Sequence, residues 1–181
     1  MIASISAGHE TRVSDLYDVF ARYTLGNRIE SCPCCVHADT ECALRSKPLR
    51  ELAWEDLNAY LFKAMSTFGE VEDFKHFLPR ILELYTRDFY GGGYDFGLFL
   101  SKLEYAKWYR WPVHERDVVV QTVRAWLQSL DPSERDSNYE PSVYEEAISE
   151  LSALQTWRRL ADELQRAVEG GTSEAIGESG S

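Results

Sequence analysis

Apolar residues recur every three to four positions in one stretch of the chain after another, and glycine and proline fall between the stretches, a spacing that admits helices and leaves little room for strands. Leu16, Tyr17, Phe20 and Tyr23 follow Val13 in this rhythm, and Gly26 stands where a left-handed cap would close a first helix. A second stripe runs through Leu57, Tyr60, Leu61, Ala64, Met65 and Phe68, opened by Trp54-Glu55-Asp56, whose acids suit the positive end of a helix dipole. The third places Val71, Phe74, Phe77, Leu78, Ile81, Leu82 and Tyr85 inward and Glu72, Asp73, His76, Arg80, Glu83 and Arg87 on the other side. Pro79 removes an amide there at a cost of about 3 kcal/mol, which predicts a kink or break beside His76. Phe96, Phe99, Leu100, Leu103 and Ala106 mark a fourth helix. Val113, Val119, Val120, Val123, Trp126, Leu127 and Leu130 mark a fifth, between Pro112 and Pro132. From Tyr144 to Val168 the stripe continues as one long helix or two in line, ended by Gly170-Gly171.

No strand alternation and no internal repeat interrupts this pattern. The expected fold is all-α: an irregular bundle of about six to seven helices with one long cysteine-containing loop. A chain of 181 residues suffices for a single helical domain over residues 1–169, followed by a small, polar tail over 170–181 that is expected to be disordered.

The formal charge of −11 and the isoelectric point near 4.8 argue against nucleic acid and anionic membranes as partners, because the long-range field repels phosphate. A basic protein partner is favoured; the plainer alternative is acidity for solubility alone. Met1 to Arg12 holds neither a basic leader nor a long apolar run, and no stretch has the length and apolarity to span a bilayer, so a cytoplasmic protein is expected. In a reducing cytosol its cysteines read as free thiols or metal ligands before disulfides.

Those cysteines are concentrated. Cys32, Cys34 and Cys35 lie in Cys-Pro-Cys-Cys-Val-His, with Cys42 shortly behind, inside Asn27 to Pro48, a segment without periodicity that regular hydrogen bonding would not hold. A Cys-x-x-Cys pair brings two soft thiolates to one point, which suits tetrahedral zinc. Cys32 with Cys35 is the preferred pair, since Cys34 and Cys35 would diverge on an extended backbone. Cys34, His37, Cys42 and His76 compete to complete the shell, and only His76 would tie the loop to a helix. The candidate metal set is therefore Cys32, Cys34, Cys35 and His76, against the plainer alternative of ordinary reduced thiols. A catalytic cysteine lacks any marked third group, and Gly91-Gly92-Gly93 is no phosphate loop without a following Gly-Lys-Ser or Gly-Lys-Thr.

Aromatic residues crowd Phe89-Tyr90, Tyr94, Phe96 and Trp108-Tyr109-Arg110-Trp111. Adjacent rings do not all face one core, so Tyr94, Trp108, Tyr109 and Trp111 are candidate anchors for a protein partner, with core packing as the alternative for most of them.

The segments Cys32-Pro33-Cys34-Cys35-Val36, Pro48-Leu49-Arg50-Glu51-Leu52 and Asp73-Phe74-Lys75-His76-Phe77-Leu78-Pro79-Arg80-Ile81-Leu82-Glu83 together resemble an uncharacterised family of bacterial cytosolic proteins. The resemblance spans about Tyr17 to Leu130 and implies bacterial origin and a common site for the cysteine run and His76. The leading functional expectation is a non-enzymatic helical module with a zinc-ordered loop that holds a protein partner, in concrete form an immunity protein neutralising a basic bacterial toxin. The alternatives are a metal-dependent, hydrolase-like enzyme, with Asp73 as a nearby base, and a thiol redox sensor.

Overall fold

The computed structural model describes residues 7–89, 95–132 and 142–177, and among them the apolar stripes become eight α-helices. These are α1 (Ala7–Phe20), α2 (Ala38–Arg45), α3 (Trp54–Lys63), α4 (Val71–Arg87), α5 (Phe96–Tyr105), α6 (Val113–Ser129), α7 (Val143–Ala153) and α8 (Arg158–Gly177). Short 3-10 turns stand at Leu49–Glu51 and Trp108–Arg110, and the described residues contain no strand, only the isolated bridges Ser31–Phe68 and Ala64–Phe68. The all-α class follows from the sequence. The last stripe divides into α7 and α8, the two-helix form of the expectation, and the count exceeds six to seven because α2 forms within the cysteine segment.

The chain divides into two compact units, Met1–Trp126 and Leu127–Ser181. In the first, α4 packs on α1 and buries Phe74, Phe77, Leu78, Ile81, Leu82 and Tyr85 completely. Tyr60 meets Phe77 with ring centroids 4.5 Å apart, Trp54 meets Tyr85 edge-on at 4.7 Å, and Phe89 stacks on Trp126 at 5.7 Å, so aromatic contact runs from α3 through α4 to α6. Pro79 lies inside α4 without ending it. The predicted break is absent: Leu78, Pro79, Ile81 and Leu82 are all buried, and that burial offsets the one amide hydrogen bond that proline lacks. The first helix also differs from expectation, beginning at Ala7 and ending at Phe20, well short of Gly26.

Between α3 and α4 the chain turns sharply through two left-handed residues, Met65 (φ 63°) and Gly69 (φ 74°). A Cβ on Gly69 would stand 3.0 Å from Asp73 Oδ2 and 3.1 Å from Ile29 Cγ2, so both backbone angle and space require glycine there.

In the second unit α7 and α8 pack together, Tyr144, Ala147, Ile148 and Leu151 on one and Leu160, Ala161 and Leu164 on the other, with the buried Trp157 just before α8. Ser142 caps α7: its hydroxyl accepts from the Glu145 N–H at 3.1 Å, and its own N–H donates to the Glu145 carboxylate at 3.0 Å. Leu154 adopts an extended conformation and breaks the stripe, which periodicity alone does not reveal. The backbone of α8 continues past Gly170-Gly171 to Gly177, beyond the expected stop. Glycine costs about 1 kcal/mol in a helix interior without forbidding it.

Candidate metal centre

Backbone hydrogen bonds hold the cysteine segment in place. Cys32 N–H donates to Thr67 O at 2.9 Å and Gly69 N–H to Glu30 O at 2.6 Å, so residues 30–32 lie along the α3–α4 turn. Ile29 is fully buried, and its N–H donates to Glu41 of α2 at 2.9 Å; Glu41 also accepts from Arg45 at 2.9 Å. The Lys63 ammonium donates to Cys35 O at 2.5 Å. The segment expected to need an ion for its order is thus ordered by its own main chain and by α2.

Within that frame Cys32 begins a tight turn: the N–H groups of Cys35 and Val36 both donate to Cys32 O at 3.0 Å. Turning the backbone swings successive side chains toward one side, which an extended strand would not do. Cys34 Sγ therefore lies 3.0 Å from Cys32 Sγ and 3.6 Å from Cys35 Sγ, and all three sulfurs lie within 4.8 Å of one another. The expected divergence of Cys34 and Cys35 is corrected by this turn.

The thiols are chemically unequal. Hydrogen bonds from the Cys34 thiol and the Cys34 main chain, with a further one from the Cys35 thiol, hold the Cys32 thiol down to about 7. Cys34, in contact with both the Cys32 and the Cys35 thiols, is pushed up to about 11. A tetrahedral zinc ion about 2.3 Å from each sulfur sets thiolates about 3.8 Å apart, so the Cys34–Cys35 pair fits directly and the Cys32–Cys34 pair opens by about 0.8 Å. Three soft donors at one exposed turn suit zinc or another thiophilic ion.

Among the described residues no histidine or carboxylate belongs to this group. His37 is the exposed residue before α2, and Cys42 is exposed on α2. His76 is half-buried on α4, where its ring Nδ1 donates to Tyr23 O at 2.8 Å and its ring meets Phe77 edge-on at 4.8 Å. It ties α4 to the segment that follows α1 and stands apart from the thiol group. Asp73 accepts from Glu70 N–H at 2.9 Å and so serves the start of α4.

The aromatic anchors divide. Tyr94 lies outside the described residues. Trp108 and Trp111 are buried, a correction to their place as surface anchors: a 3-10 turn repeats every three residues, so these two share its inner side. Their indole N–H groups donate to Glu104 at 2.8 Å and to Ala106 O at 3.0 Å. Tyr109, between them, remains exposed.

Sequence reasoning missed a buried charge cluster beside His76. Glu115, fully buried at the start of α6, accepts from Lys75 at 2.8 Å, from the Tyr23 hydroxyl at 2.6 Å and from Arg22. The Lys75 ammonium also sits 4.3 Å over the Trp111 ring and 4.8 Å over Tyr23. The available signal was the position of Lys75 in register with the apolar Leu78 and Leu82. Among the described residues no helix is long and apolar enough to cross a membrane. Comparison with protein-family models, with curated proteins and with solved structures finds no match to this chain.

Proposed function

We propose that this protein is a helical scaffold that presents a three-thiolate site, Cys32, Cys34 and Cys35, for a soft metal ion, zinc above all. The observation that carries the reading is the convergence of the three sulfurs within 4.8 Å on a turn held by main-chain hydrogen bonds. Three protein donors leave a fourth position for water or for a donor from a partner, and His76, engaged by Tyr23, is left out of the ligand set. The metal supplies charge and a thiolate-protecting bond at the surface; the chain supplies a site that needs little rearrangement.

Cobalt substitution tests this. Stoichiometric cobalt with intense thiolate-to-metal absorption, displaced by zinc and abolished in Cys32→Ser and Cys35→Ser, is the expected result; cobalt that stays in its aqueous form overturns it.

A second reading, a thiol redox sensor, is favoured by the 3.0 Å approach of Cys32 and Cys34. It requires an oxidant such as a peroxide to convert two thiols to a disulfide and release water. Mass mapping after mild peroxide, with and without zinc, separates the two, because a bound ion protects the thiols. The wider expectation of a module that holds a basic protein, such as a toxin, rests on the charge of −11 and on exposed Tyr109, without support from Trp108 or Trp111.

A further inference from the structure

Arg50 lies over the Tyr17 ring, its guanidinium carbon 3.7 Å from the ring centroid, yet among the described residues its side chain makes no hydrogen bond or ion pair. Contact with the ring restrains the guanidinium and leaves its N–H groups free, and arginine recognises a planar oxyanion through two parallel hydrogen bonds from such groups. Across from it, Glu83 is saturated: it accepts from Tyr17 at 2.6 Å, from Arg80 at 2.8 Å and from Arg87 at 3.0 Å. Arg80 is in turn locked by its bond to Leu52 O at 2.6 Å. Arg87 is half exposed, with only one of its nitrogens engaged by Glu83.

Arg50, Glu83 and Arg87 line a cleft of about 270 Å³ with Glu10, Val13 and Ser14 of α1. That volume lies just below the small-molecule range that begins near roughly 300 Å³, so it suits a compact ion. In a chain of charge −11, the two arginines of this lining balance its two glutamates, and one of those, Glu83, is already bound by Arg80 and Arg87. We propose that Arg50 and Arg87 form a binding site for a small oxyanion, a carboxylate or a phosphate, in the cleft between α1 and α4. The Ser14 hydroxyl is a further donor at the wall, against the opposing charge of Glu10. Burial and the Glu83 carboxylate push the Tyr17 hydroxyl above its usual range, so it remains a proton donor to Glu83 and keeps the stack in register.

The test is calorimetric titration of the full chain at low salt with inorganic phosphate and, separately, with succinate. Saturable binding of one anion identifies its class, and Arg50→Gln and Arg87→Gln are each expected to weaken it by at least about tenfold. Arg50→Lys keeps the charge but loses the fork, and is expected to weaken binding too, with an unchanged helical circular dichroism spectrum showing that the fold survives. Cys32→Ser leaves the anion affinity unaltered, which separates this site from the thiols. Saturation by neither anion, or wild-type affinity in both Arg50 variants, overturns the proposal.

Discussion

Removing Glu115 leaves the Lys75 ammonium, whose side chain is 8% exposed, without its carboxylate, a loss of about 3–5 kcal/mol in comparable pairs. Glu115→Ala is therefore expected to lower unfolding free energy by that order in urea denaturation, and a loss below about 1 kcal/mol would show the pair to be dispensable. The pair was half legible: Lys75 stands in an apolar register, but its partner lies 40 residues away, and helical periodicity carries no information about contacts at that range. The thiols behave similarly. Their spacing announced a possible site, whereas the turn that gathers the sulfurs depends on Thr67 and Glu41. In metal-free protein the depressed Cys32 thiol is expected to lose its proton as pH rises through about 7, so its alkylation rate levels off above that pH. Since the Cys34 thiol is the main cause, Cys34→Ser is expected to change the midpoint, and an unchanged pH profile would contradict this hydrogen bond.

At the scale of elements, the ends of helices carry testable energetics. Asp56 accepts from Ala53 N–H at 2.9 Å and from Lys47 at 2.7 Å, closing the first turn of α3. These bonds, the backbone one foremost, hold its carboxyl below the ordinary value. A depressed carboxyl stabilises the fold above its unfolded value, near about 3.9, and that contribution disappears as pH falls through the folded value. Asp56→Asn is expected to remove much of this acid-side dependence, seen as a flatter stability profile below about pH 4. Gly69→Ala is expected to cost about 1–3 kcal/mol, because the left-handed angle and the close Ile29 and Asp73 atoms both oppose a side chain; a melting temperature equal to wild type would show that the turn relaxes freely. Helices with a strong stripe, such as α4 and α5, were readable from spacing. α2 was not, since its eight residues include only a short apolar set and its place is set by Leu44 burial and by Glu41 bonding to Ile29.

For the whole molecule, closure of the core depends on apolar contact, and the thiol cluster lies at the surface. A chelator is therefore expected to leave helical circular dichroism and cooperative melting in place while it removes bound metal; collapse to an unfolded spectrum, as in small zinc-dependent domains, would contradict this arrangement. The all-α class, the apolar sets of most helices and the thiol cluster as the place to look were all determined by the sequence alone, because helical period and the softness of sulfur are properties of local chain and side-chain chemistry. The inward position of Trp108 and Trp111, the burial of Lys75 with Glu115, the separation of His76 from the thiols and the free edge of Arg50 were decided only by tertiary structure. Each depends on which distant residue comes to lie opposite, a matter settled by packing many elements at once.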